Sequence, residues 1–73
     1  MENNLPESDP QPFTDKELEV IWLLLEGKST RQMALQLGIS TRAVEYHLTH
    51  IYEKLGVNSR TEAVIKLIHL FEK

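Results

Sequence analysis

The chain contains no cysteine. Disulfides and thiolate metal sites are therefore excluded, and a reducing compartment is compatible. It has no long hydrophobic run either. The longest, Val20 to Leu25, has six residues, far short of the roughly 18 needed to read as a membrane span. No secretory signal pattern precedes it. No segment alternates polar and apolar residues with period two, so no strand is expected. There is no internal repeat. Base is in short supply, with 8 Lys and Arg against 11 Asp and Glu, for a formal charge of −3. At 73 residues the chain makes one small domain at most, of a size that buries only about 60% of its unfolded surface and is marginally stable alone.

What is present is unevenly placed. Residues 1–12 hold Glu2, Glu7 and Asp9 and no base, and they hold all three prolines, Pro6, Pro10 and Pro12. This stretch lacks the apolar residues that offset ordering entropy, and is expected to be a disordered tail or linker. Residues 13–73 are expected to form the folded domain, and their charges cancel. Within them Asp15 to Glu26 is net acidic. Lys28 to Arg60 is net basic, through Lys28, Arg31, Arg42, Lys54 and Arg60 against Glu45 and Glu53. Distribution counts for more than the total when nucleic acid is in question.

Helix punctuation is regular from Phe13 onward. Thr14 is followed three residues later by Glu17, Ser29 by Gln32, and Ser59 by Glu62. Each spacing is that of a capping box, in which hydroxyl and carboxylate or amide satisfy each other's backbone N–H. Ser40 is a further N-cap without the box. The only glycines, Gly27, Gly38 and Gly56, each follow an apolar periodic run, at the place where helices stop. Starts and stops interleave to give four helices, at about 15–26, 30–37, 41–55 and 60–72. The expected fold is all-α.

Apolar spacing agrees with these bounds. The third helix carries Val44, Leu48, Ile51 and Leu55 as one stripe, and the second carries Met33, Ala34 and Leu37. The fourth carries Ala63, Val64, Leu67, Ile68 and Phe71. The first has two stripes, Val20/Ile21/Leu24 and Leu18/Trp22/Leu25. One suffices for a core. The second must meet the fourth helix or another chain.

The run Met33-Ala34-x-x-Leu37-Gly38-Ile39-Ser40-x-x-x-Val44 has the mechanics of a helix-turn-helix. Small Ala34 lets the helices cross closely, Gly38 takes the turn's positive φ, and Ile39 with Val44 fills the angle between them. Such a unit places its second helix in the major groove of DNA. Opposite its core stripe, that helix presents Arg42, Glu45, Tyr46, Thr49 and Glu53. Any small helical bundle with a glycine-containing turn is the plainer alternative.

Three stretches sharpen the choice: FTDKELEVIWLLLEGKS, MALQLGISTRAVEYH and IYEKLGVNSRTEA. Together they closely resemble the LuxR/GerE-type DNA-binding domain, the output domain of many bacterial response regulators and quorum-sensing regulators. The resemblance runs without a gap over about residues 13–70. Its most specific parts are Glu17-x-Glu19-Val20, Gly27-x-Ser29, Val44-x-x-His47 and Lys54-Leu55-Gly56-Val57-x-Ser59-Arg60. It implies a cytoplasmic four-helix domain that dimerises through its last helix and controls transcription at partly palindromic sites of double-stranded DNA. It also implies that the base-reading positions are Arg42, Glu45, Tyr46 and Thr49, the same face that geometry selects.

Phosphate contacts are expected from Lys28, Ser29, Thr30, Arg31 and Thr41 near helix starts, and from His50, Lys54 and Arg60. Lys54 can instead close the last turn of its own helix. Ile65, Ile68 and His69 point partly away from the core stripe and are the expected dimer contacts. His47 borders the Val44/Leu48 stripe and is expected to be a packed imidazole. Glu45 stands where the family often has Lys, and His50 where it often has Asn. Thr30-Arg31-Gln32 replaces a usual Asn-Lys-Glu run. Glu45 is either a solvated side chain or an acceptor for cytosine N4–H₂ that repels other bases.

Neither cofactor, metal nor small-molecule ligand is implied. His47, His50 and Glu53 recur every three residues but spread around the helix. An enzyme is disfavoured by the lack of a nucleophile elbow or a Gly-rich phosphate loop. The rival that remains is a helix-turn-helix acting mainly through protein contacts, docking on RNA polymerase as sigma region 4 does, or on another regulator. The small basic surplus and the Leu18/Trp22/Leu25 stripe favour that rival.

Overall fold

The computed structural model describes residues 13–72. Four helices follow one another: α1 (Asp15–Leu25), α2 (Thr30–Leu37), α3 (Thr41–Leu55) and α4 (Arg60–Phe71). No strand occurs among the described residues. The expected tail at residues 1–12 lies outside them.

Each helix starts where its hydroxyl cap stands. Thr14 Oγ1 accepts from the Glu17 amide at 3.1 Å, and Glu17 Oε1 accepts from the Thr14 amide at 3.0 Å. Ser29 and Gln32 repeat the exchange at 3.1 and 2.8 Å. The third expected box is only half made. Ser59 Oγ accepts from the Glu62 amide, but Glu62 Oε1 takes the Asn58 amide at 2.9 Å rather than that of Ser59. The backbone explains the difference. Ser59 sits at φ −144°, whereas Thr14 and Ser29 sit at −74° and −76°, so the chain enters α4 at another angle.

α3 is the hub, packing against each of the other helices, while α1 also packs on α4. The core joins Val20, Ile21, Leu23 and Leu24 of α1, Met33 and Ala34 of α2, Val44, Leu48, Ile51 and Leu55 of α3, and Ala63 and Leu67 of α4. Fully burying one such large side chain is worth about 1.5–3 kcal/mol, so few can be spared. Leu23 belongs to neither expected stripe of α1. It is buried because α1 is packed on two sides, by α3 and by α4, and so hides a wider arc than one stripe.

α4 behaves oppositely. Ala63 and Leu67 are buried, and Val64 and Phe71 pack against the core half-exposed. Ile68, expected in the same stripe, is 50% exposed. It lies one step of about 100° past Leu67, beyond the narrow strip that α1 and α3 cover. The second stripe of α1 divides as well. Leu18 and Leu25 are half-buried against the core, while Trp22 stays largely exposed and stacks on Phe71, ring centroids 6.4 Å apart.

Candidate nucleic-acid interface

α2, the turn after it and α3 form a helix-turn-helix, held by bonds the sequence makes locally. Gly38 occupies the left-handed region at φ 69°, ψ 33°. From there the Ile39 amide turns back to the Ala34 carbonyl at 3.1 Å. Ser40 Oγ then accepts from the Ala43 amide at 3.0 Å and starts α3. Val44, fully buried, and Ala34, nearly so, lock the two helices at their crossing.

With Val44, Leu48, Ile51 and Leu55 turned inward, Arg42, Glu45, Tyr46 and Thr49 are all exposed on the opposite face. The structure thus brings the four expected base-reading side chains together on one face of α3, toward its N-terminal end. Tyr46 is their most prominent apolar surface, 61% exposed. Its ring is flanked by two imidazoles, that of His50 at 4.4 Å and that of His47 at 5.6 Å between centroids. His47 is half-buried, consistent with a packed ring at the border of the core stripe.

The expected phosphate ligands separate into two groups. Ser29, Thr30 and Arg31 gather at the start of α2, and Thr41 lies at the start of α3. There the caps use the Gln32 and Ala43 amides. The first-turn amides of Thr30, Arg31, Thr41 and Arg42 remain at the open ends of their helices, donors of the kind that hold phosphate. Lys28 is half-buried in the preceding loop, and His50 is half-buried beside Tyr46.

Lys54 and Arg60 have partners inside the domain. Lys54 Nζ lies 2.6 Å from Glu17 Oε1 and 5.8 Å from the centre of the Phe13 ring. Arg60 donates from its guanidinium to the Lys28 carbonyl, tying the start of α4 to the α1–α2 loop. The first of these ties centres on a residue that the capping pattern alone undersells. Glu17 is 6% exposed, a carboxylate among buried apolar residues. Burial raises its pKa. The hydrogen bonds from Lys54 and from the Thr14 amide, with the attraction of Lys54 and His50, outweigh that and hold it below the ordinary value. A signal for it exists in the sequence: Glu17 lies at helical spacing from Val20, Ile21 and Leu24, an acid in an apolar stripe.

On α4, Ile65 is 53% and Ile68 50% exposed, and His69 is open beside Glu72, Nδ1 to Oε1 3.7 Å. Ile65 and His69 share a shallow concavity with Gly56, Val57, Glu62 and Lys66. Among the described residues no three His, Asp or Glu side chains gather as metal ligands. Among the same residues no helix is long and apolar enough to cross a membrane.

A four-helix domain built round a helix-turn-helix, its second helix bare on one face, is a DNA-binding domain of the transcription-regulator class. Comparison with known proteins places it further. Residues 11–67 match the family described as GerE: Bacterial regulatory proteins, luxR family, and the chain belongs to that family. Spore germination protein GerE of Bacillus subtilis (strain 168) is 39% identical over 60 residues, 82% of this chain and 81% of GerE. Transcriptional regulatory protein YdfI of the same organism is 49% identical over 52 residues, 71% of this chain but 24% of YdfI. The solved structure of response regulator ChrA, of a heme-sensing two-component system, superposes with a TM-score of 0.75 at 37% identity, over 89% of this chain and 34% of ChrA. The chain thus spans most of GerE but only a quarter to a third of YdfI and ChrA.

Proposed function

We propose that this domain regulates bacterial transcription by placing α3 in the major groove, with Arg42, Glu45, Tyr46 and Thr49 on base edges. The observation that carries the reading is the two-sided character of α3, whose apolar stripe is buried while those four side chains share its open face. Arg42 suits a guanine, through O6 and N7, or a phosphate. Ser29, Thr30, Arg31 and Thr41 hold phosphates at the two helix starts, with Lys28 in the loop before α2 and His50 further along α3. Lys54 and Arg60 add less, since both have internal partners.

A single module covers little DNA, and half-sites are read in pairs. A symmetric dimer through Ile65, Ile68 and His69 of α4, on a partly palindromic site, fits this need. Its place of action is the cytoplasm, on the nucleoid. Selection of bound duplexes from random DNA at fixed salt tests the whole reading. An enriched half-site repeated with two-fold symmetry is the expected result. Affinity should also fall steeply as salt rises. No enrichment, or salt-independent binding, would turn the reading toward a protein-docking module on RNA polymerase or another regulator. Exposed Trp22 and Leu35 are the surfaces that favour that second reading.

A further inference from the structure

Tyr46 and His50 lie one helical turn apart on α3, and their rings meet at 4.4 Å with planes tilted by 47°. On a helix the side chain at i+4 leans back over the residue at i, because Cα–Cβ bonds tilt toward the N-terminus. His50 therefore covers the C-terminal side of the Tyr46 ring, and His47 meets the same ring edge-on at 5.6 Å. Tyr46 is nonetheless 61% exposed. It is a large ring steadied from two sides and bare on the side that faces out. Tyrosine offers wide contact area at low entropic cost because only two torsions must be fixed. A ring already braced has less still to lose on binding.

We infer that His50 is a positioning residue for Tyr46, and that the braced Tyr46 ring reads the C5-methyl group of a thymine in the major groove. This rests on the proposal that α3 reads base edges. The thymine methyl is the one apolar group the major groove offers, and aromatic and methyl side chains are its usual partners. Arg42 and Glu45, on the same face, supply polar contacts, and Thr49 is smaller. Tyr46 is the one exposed apolar surface of that size in the reading set. On this account the His50 ring acts through its face against Tyr46 and not through a nitrogen on phosphate.

The test uses the full chain and the duplex obtained by selection, with each thymine replaced in turn by deoxyuracil, which lacks only the methyl group. Wild type should lose about fourfold in affinity at one position of each half-site, the value of burying one methyl-sized group. Tyr46→Ala and His50→Ala should each make that replacement silent. His50→Phe, which keeps a ring but no ring nitrogen, should restore the loss. Helical circular dichroism of each variant confirms that it is folded. If no uracil replacement weakens wild type, or if Tyr46→Ala and His50→Ala both keep the full loss, the inference is overturned. A His50→Phe protein that is uniformly weaker on every sequence, with a shallower salt dependence, would return His50 to phosphate binding. If Tyr46→Ala also leaves the methyl effect intact, Tyr46 is not a base-reading residue. If Tyr46→Ala erases the effect and His50→Ala does not, only the bracing fails.

Discussion

Glu17 and Glu45 are two acids whose surroundings give them opposite jobs. Glu17 is buried, and Lys54 at 2.6 Å neutralises it. Because its pKa is held below the ordinary value in the folded domain, ionised Glu17 stabilises the fold at neutral pH. That stabilisation is complete above the unfolded-state pKa and is lost as pH falls through the folded one, so the loss belongs below about pH 4.5. Denaturant melts across pH 3–7 should show this fall in wild type and a flatter profile in Glu17→Gln. Lys54→Met is the harsher change, since it leaves a buried carboxylate unpaired. Removing one partner of a fully buried pair costs about 3–5 kcal/mol. With Lys54 31% exposed, about 2–3 kcal/mol at pH 7 is expected here, partly recovered in acid where Glu17 can protonate. A Lys54→Met protein as stable as wild type would remove the pair from the list of what holds α3 to α1. Glu45, by contrast, is exposed on the open face of α3. Glu45→Gln should tighten binding to unrelated DNA and relax preference at one base pair, because a lone acid near phosphates costs affinity while excluding wrong bases. Identical selected motifs for the two proteins would leave Glu45 a solvated bystander.

At the scale of the elements, local chemistry decides where helices begin and end. Ser40→Ala should cost about 1 kcal/mol, and its effect falls at the first turn of the reading helix, so DNA affinity should drop with stability. Gly38→Ala meets no atom within 4 Å of the added Cβ. Its cost is therefore that of the left-handed backbone alone, about 1–2 kcal/mol. Thermal melts of the two variants, compared with their double mutant, should show the turn and the cap acting on one junction. The same locality explains what the sequence made legible. Helix bounds of 30–37 and 41–55 agree with the structure, and those of α1 and α4 differ by one residue at the C-terminal end, because caps and glycines act within four residues. The exposed face of α3 was legible for the same reason: once Val44 and Leu48 point inward, Arg42, Glu45, Tyr46 and Thr49 must point out. What escaped depends on how helices are packed. Leu23 is buried by a second neighbour of α1, and Ile68 is exposed because α1 and α3 cover only a narrow strip of α4. The reach of Lys54 to Glu17 spans 37 residues, and no spacing rule covers it. Glu62 chose Asn58 over Ser59 because the chain turns into α4 with a different φ.

For the molecule as a whole, the acidic formal charge of −3 and DNA binding are reconciled by where the charges lie. The groups proposed to hold phosphate cluster at the starts of α2 and α3, and the sequence concentrates its carboxylates in α1 and residues 1–12. Each module then carries few phosphate contacts, and a small count gives a weak salt slope, of about −0.9 per phosphate neutralised. Pairing two modules doubles that count without adding any base to the chain. The proposed dimer surface would therefore bear on the electrostatics of binding as well as on symmetry. Ile65 is its best test, because it is 53% exposed at the rim of a concavity shared with His69 and contributes nothing to the buried core. Ile65→Glu should leave the helical content and melting temperature near those of wild type. In sedimentation it should move the protein from a concentration-dependent dimer to a monomer. On a two-half-site duplex the slope of log K against log salt should fall to about half its wild-type value, since one module then neutralises only its own phosphates. On a single half-site the two proteins should bind alike. An unchanged sedimentation profile would move the interface off Ile65. A monomeric Ile65→Glu protein with an undiminished slope would mean that the DNA itself brings the modules together, each already holding its full share of phosphates without α4.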